Sequence, residues 1–450
     1  MSLIFYMWSS PQYLLVMIGV IIINYFAGIY IDKYDAVGGG HGQKLKKQVL
    51  IAGIIINVAV LFIFKYLTFT LRSVNEFISM LGFNTFTFMN IVLPVGISFY
   101  IFQSISYLVD IYRKDAPVQK SIQNLALYIS MFPQLVAGPI VRYNSIAQDI
   151  ERERHIPFEV FILGAKIFIL GLAKKVLIAN QMAVIADTMF AQNAAYITAV
   201  NAWIGAVAYT FQIYFDFSGY SDMAIGLGLM IGFKFPVNFN YPYISYSITD
   251  FWRRWHISLS SWFRDYVYIP LGGNRVKVSR MYINLLIVFT ITGIWHGANW
   301  TFLVWGLFHG LFLVIEKITG LNKTEKYKPA RWIITMLIVI IAWVFFRADT
   351  IHDALNYIKA MFGFNKNAEE LISSSMYLEN AAYYVLMVIG LVGSTPLIKR
   401  YFLRNIDAFD TVYVNKATVL IQNIFMILLL VMVYIMLANN TYNPFIYFRF

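Results

Sequence analysis

Long apolar runs recur along the whole chain, separated by short polar stretches rich in Lys and Arg. An α-helix rising ~1.5 Å per residue needs about 20 apolar residues to cross ~30 Å of hydrocarbon. Runs of that kind lie at Pro11–Tyr30, Val49–Thr70, Ile91–Ile111, Phe158–Ala173, Ala199–Phe217, Met281–Trp295, Trp300–Ile315, Arg331–Phe346, Ala381–Leu397 and Ala417–Leu437. Leu125–Val141 and Met182–Phe190 are shorter or interrupted. The pattern predicts an all-α polytopic integral membrane protein with roughly 10–13 membrane helices around a central cavity, some of them short, broken or re-entrant. No internal repeat is visible, and Gly38-Gly39-Gly40 reads as a short flexible loop.

Composition agrees. The 450 residues are 59% hydrophobic and only 13% charged, with a mean hydropathy of +0.64, whereas soluble domains carry about 25% charged residues. The first run is too long for a signal-peptide core and lacks a small-residue cleavage site, so it reads as a retained membrane helix. The absence of cysteine excludes a cysteinyl acyl-enzyme, a thiolate metal site and disulfides. A net charge of +12 in such a chain points to cytoplasmic loops and anionic head groups, not nucleic acid. Lys44, Lys46 and Lys47, then Arg113, Lys114 and Lys120, then Arg253 to Arg280 and Lys317 to Arg331 mark cytoplasmic loops, with the N-terminus outside. Met281–Glu316 is then a two-helix hairpin with His296 near its apex, ~24 Å above Arg280. Lys174 and Lys175 fit this topology poorly.

Ser247-Ile248-Thr249-Asp250 has the form of a capping box. Phe251, Trp255, Leu259, Trp262 and Phe263 follow at helical spacing, with Arg253, Arg254, Ser258, Ser261 and Arg264 on the other face. This predicts one amphipathic helix near 250–264, lying at the membrane interface. Its plain reading is a surface anchor carrying a half-exposed His256. Its functional reading is a basic, aromatic mouth for a phosphate-bearing substrate.

The residue best placed for chemistry is His296, in Gly293-Ile294-Trp295-His296-Gly297-Ala298-Asn299-Trp300. An ionisable group inside a membrane is costly to keep, and imidazole suits proton transfer near neutral pH. The plainer alternative is a histidine that bonds two helices together. Asn299 is placed to orient a carbonyl. His309 reads as a structural hydrogen-bonder, and His41, His155 and His352 as solvated loop residues. Asp216 and Asp222 end a span, where a functional role and a helix-pairing ion bridge or cap are about equal readings. Pro133 to Pro139 breaks an apolar run and reads as a kinked or re-entrant segment. The few acids near these histidines speak against a metal site.

Tyr241-Pro242-Tyr243-Ile244, Thr249 to Trp262, Phe263 to Arg275 and Gly293 to Gly310 closely resemble the membrane-bound O-acyltransferases, above all the bacterial alginate O-acetyltransferase branch. Leu93 to Tyr100, Met131 to Pro139 and Pro444 to Phe448 are family-like too, so the resemblance covers most of the chain, read as a single domain over residues 1–450 with its core motifs at 216–310. It implies that His296 matches the family's invariant intramembrane histidine and His256 the second histidine of this branch. Trp252, Arg253, Arg254, Arg264, Asn299 and Asp216 are the candidate donor or substrate contacts. The implied activity is transfer of acetyl from cytoplasmic acetyl-CoA, with no bound cofactor, to a hydroxyl of an extracytoplasmic polysaccharide at the cell membrane. A secreted transferase as delivery partner is also implied. The alternatives are D-alanyl transfer from a carrier-protein thioester and, outside enzymes, a secondary transporter or flippase, which the lack of an inverted repeat disfavours.

Overall fold

The computed structural model describes residues 1–324, 326–365, 381–398 and 416–439, and among them all regular structure is helical. Among the described residues, six helical stretches are long and apolar enough to cross a membrane: Pro11–Val37, Gly39–Met80, Val278–His296, Trp300–Thr319, Lys328–Arg347 and Val419–Asn439. The chain is therefore a multi-pass membrane protein. Pro444 to Phe448 lies outside the described residues.

The helices fall into two compact units, one of residues 1–157 with 231–236, the other of residues 158–230 with 237–450. The first unit contains α1 (Ser2–Ser9), α2 (Leu14–Val37), α3 (Gly39–Leu61), α4 (Leu67–Met80), α5 (Ile97–Arg113), α6 (Ile122–Ser130), α7 (Phe132–Leu135) and α8 (Tyr143–Glu151). Helices α2 and α3 form a hairpin locked by Asn24 and Asn57, whose side-chain amides exchange bonds of 3.1 and 2.8 Å. The expected three-glycine loop is a single residue, Gly38, at φ 65°; Gly39 and Gly40 already belong to α3. Lys46 accordingly sits on a helix, buried, and pairs with Asp35 at 2.7 Å. The run expected at Ile91–Ile111 becomes helical only at Ile97. Leu125–Val141 is broken as expected: α6 ends at Ser130, and the one-turn α7 carries Pro133 in its first turn.

The second unit contains α9 (Phe158–Ala173), α10 (Asn180–Phe190), α11 (Ala199–Met230), α12 (Ile248–Arg254), α13 (Ile257–Phe263), α14 (Val278–His296), α15 (Trp300–Thr319), α16 (Lys328–Arg347), α17 (Ile351–Met361), α18 (Ala381–Gly393) and α19 (Lys416–Asn439). A π-helical turn, Lys174–Ala179, joins α9 to α10. There Lys175 pairs with Asp216 of α11, and Lys174 with Asp222, each at 2.6 Å. These lysines are not loop markers. Each is neutralised by a carboxylate of another helix, Lys175 in the interior and Lys174 half-buried, which is why they fitted the charge-based topology so badly.

Helices α14 and α15 form the expected hairpin. Gly293 and Gly306 face one another, and a Cβ on either would run into the partner helix's backbone, at the carbonyl of Phe302 or of Phe289. That close approach aligns the two helices over most of their length. Helix α16 runs back beside α15, bringing Phe346 to the apex.

Candidate active site

The N-terminus of α12 is fixed twice. Ser247 Oγ accepts from Asp250 N at 2.9 Å, as the capping-box reading requires. Buried Glu316 of α15 adds a carboxylate that accepts from Ile248 N, from Thr249 N at 2.9 Å and from Thr249 Oγ1 at 2.7 Å. A negative group suits that end of the helix dipole. Nothing in the local sequence near α12 announces Glu316, because it arrives from 67 residues away.

The segment expected as one helix over 250–264 is helical at both ends and broken in the middle. Trp255 is extended at φ −96°, ψ 129°, and His256 takes the left-handed conformation at φ 44°, ψ 54°. That conformation costs a non-glycine residue of order 1–3 kcal/mol, and it persists only where the surroundings enforce it. They do so here with a bracket made by residues 238–240. Asn238 O accepts from Ile257 N and Asn240 N donates to Arg254 O, both at 2.9 Å. Asn238 Oδ1 accepts from Ser258 N at 3.1 Å and from Ser258 Oγ at 2.8 Å. The break turns the aromatic face inward. Phe251, Trp252, Trp255, Leu259, Trp262 and Phe263 are buried within the protein, and His256 is fully buried, not half-exposed.

His256 Nδ1 lies 3.2 Å from Asn238 Oδ1, while Phe217 packs edge-on to the ring at 4.7 Å. Burial pushes its imidazole well below the ordinary histidine value, to about 3. His296 is the last residue of α14, where Gly297 turns extended at the hairpin apex. The residue is 8% exposed, and its ring is walled by Trp295 at 5.0 Å, Trp305 at 5.0 Å and Phe346 at 5.2 Å. The His256 ring stands 6.5 Å from it. On the far side of Trp305, His309 Nδ1 accepts from Trp252 Nε1 at 3.4 Å, and the His309 ring stacks on Phe251. Three imidazoles thus share one aromatic core.

The other candidates divide. Trp252 belongs to this core. Asn299 caps α15, accepting from Thr301 N at 3.2 Å and donating to Asp349 O at 2.8 Å. One end of its amide is committed to the first turn of α15 and the other to the loop after α16, which disfavours a carbonyl-orienting role. Asp216 takes the ion-bridge reading, held by Lys175. Arg254 is gripped by Asp250 at 3.0 Å, and Arg264 by Asp265 at 2.6 Å. Arg253 is exposed and makes no ion pair among the described residues. Among those residues no group of three His, Asp or Glu side chains converges as a metal site would need.

Residues 58–352 match the model of the membrane-bound O-acyltransferase family. The chain belongs to that family and is an acyltransferase. It is 44% identical over 398 residues to the probable alginate O-acetylase AlgI of Pseudomonas aeruginosa, covering 87% of this chain and 75% of that protein. It is 39% identical over 468 residues to the probable alginate O-acetylase AlgI of Pseudomonas putida, covering 100% and 93%. Peptidoglycan O-acetyltransferase of Helicobacter pylori is 39% identical over 395 residues, covering 81% and 73%.

Proposed function

We propose that this protein is an O-acetyltransferase of the cell membrane. It takes acetyl from acetyl-CoA on the cytoplasmic face and passes it toward a hydroxyl of an extracytoplasmic polysaccharide. The observation that carries the reading is the placement of His296: at the apex of a membrane hairpin, nearly buried, with a second imidazole 6.5 Å away. The names of the relatives supply the acetyl group and the polysaccharide.

In the proposed reaction, His296 removes the proton of the acceptor hydroxyl as its oxygen attacks the thioester carbonyl. The new C–O bond forms, the C–S bond breaks, and the proton passes to the departing thiolate. Trp295, Trp305 and Phe346 exclude water, which would otherwise consume the thioester. Exposed Arg253, in no ion pair among the described residues, provides a cation for the donor's phosphates at the mouth, whereas Arg254 and Arg264 must first leave their carboxylates. The immediate acceptor hydroxyl belongs either to the polymer or to a secreted transferase that completes delivery, and the shared chemistry is a hydroxyl nucleophile.

The test uses purified protein in proteoliposomes with radiolabelled acetyl-CoA inside and a polyuronate or glycan oligomer outside. Acetyl ester should accumulate on the oligomer, or on an added secreted transferase. A protein that neither hydrolyses nor transfers the thioester would contradict the proposal.

A further inference from the structure

The bracket at Asn238 also fixes the protonation of His256. Ser258 N can only donate, so the Asn238 atom 3.1 Å from it is the carbonyl oxygen and not the amide nitrogen. The other end agrees, because Asn238 Nδ2 donates to Ser221 Oγ at 3.0 Å. The same oxygen lies 3.2 Å from His256 Nδ1. Two acceptors cannot bond, so Nδ1 carries the hydrogen and Nε2 is left with its lone pair. That Nε2 is buried and has no hydrogen-bond partner among the described residues. A buried acceptor left unpaired is costly, which favours a donor reaching it.

We propose that Asn238 is a positioning residue: it holds His256 as the Nδ1–H tautomer and so makes Nε2 a dedicated acceptor for an N–H or O–H of a substrate bound beside His296. The inference rests on the acyl-transfer reading of this site and adds a direction to it. With no proton on Nε2, His256 cannot donate to the thioester carbonyl, so stabilising the oxyanion falls to other groups. Around the His256 ring, Phe217 from α11, Phe239 beside Asn238, and Trp295 and His296 from α14 make the contacts. Among those four only His296 is titratable. The nearest charges along α11 are Asp216, beside Phe217 and bridged to Lys175, and Asp222, beside Ser221 and bridged to Lys174.

Two measurements test this. In the first, protein labelled with 15N in its histidine rings is studied by solid-state NMR in lipid, with the His256→Gln variant assigning the resonances. The expected spectrum shows a protonated Nδ1 and a bare Nε2 for His256 at pH 7. In Asn238→Leu, which loses the acceptor, that assignment should change. A protonated Nε2 in the wild type would overturn the proposal whether or not the protein turns over acetyl-CoA. In the second, Asn238→Asp keeps an acceptor for Ser258 and His256, so it should fold. Its carboxylate should favour imidazolium, raising the midpoint of the acid limb of kcat by about 1–3 pH units. Asn238→Leu should lose ~10²-fold in kcat with little change in KM. Wild-type turnover with an Asn238→Asp profile identical to wild type would leave Asn238 only a cap on α13, and the positioning role would be refuted. Absence of wild-type turnover would instead refute the acyl-transfer reading, with the NMR result still deciding the tautomer.

Discussion

The His256 and His296 rings stand 6.5 Å apart at 61° to one another, one at the break between α12 and α13, the other at the end of α14. Neither position is an ordinary helix interior. A left-handed residue and a helix terminus are the places where a side chain can be aimed without its own helix in the way. Two elements distant in sequence each spend their irregular residue on the same small volume.

His256 can be probed by pH. Its folded value of about 3 lies below its ordinary value near 6.5, so the folded protein binds fewer protons here than the unfolded chain. The corresponding stability is complete above pH 6.5 and drains away as pH falls toward 3, at up to ~1.4 kcal/mol per pH unit. His256→Asn tolerates the left-handed backbone and does not titrate. Its melting temperature should therefore fall less steeply than wild type between pH 6.5 and 4.5, while its turnover drops ~10²-fold. Parallel melting curves for the two proteins would contradict a buried, neutral His256.

The Lys175–Asp216 pair should behave as a buried bridge. Removing one charge from such a pair typically costs about 3–5 kcal/mol, and replacing both by apolar groups costs far less. Lys175→Met should lower the melting temperature in detergent sharply, and Lys175→Met with Asp216→Leu should recover most of it. A double variant no better than the single would mean that Asp216 has a duty beyond the bridge.

Arg253 is the test of the donor mouth. Charge-assisted contacts to phosphate contribute about 1.5–3 kcal/mol. Arg253→Ala should therefore raise KM for acetyl-CoA ~10-fold or more with kcat nearly unchanged. An unaltered KM would restrict Arg253 to anchoring at the membrane surface.

Orientation follows from α14, α15 and α16 running alternately up, down and up. Exposed Lys277 lies at the start of α14, and exposed His352 on α17 follows the far end of α16. The chain has no cysteine of its own. Lys277→Cys should resist an impermeant thiol reagent in intact cells, and His352→Cys should react. The opposite pattern would invert the topology and with it the direction of acetyl transfer.

Much of this was legible in the sequence, for identifiable reasons. The α14–α15 hairpin and His296 at its apex followed from two apolar runs, their flanking charges and a polar interruption between them. The helicity and cap of residues 247–264 followed from spacing. The break at Trp255–His256 did not, because neither Gly nor Pro marks it; it is imposed by Asn238, 18 residues upstream, through hydrogen bonds that no periodicity reports. The burial of that segment was hidden for a related reason: an amphipathic pattern tells which face is apolar, not whether membrane or protein covers it. Lys174 and Lys175 fitted no loop because their carboxylates sit on another helix, 48 and 41 positions on. Arg254 and Arg264 looked available until Asp250 and Asp265 were seen to hold them.

The central claim is that His296 is the general base of an acyl transfer. The direct measurement is the rate of acetyl transfer from acetyl-CoA by purified His296→Ala in proteoliposomes, beside wild type and His309→Ala, each with a melting curve. The account predicts a loss of ~10²–10⁴-fold in His296→Ala with its melting temperature near wild type, and a much smaller loss in His309→Ala. A well-folded His296→Ala protein that turns over at the wild-type rate would contradict it.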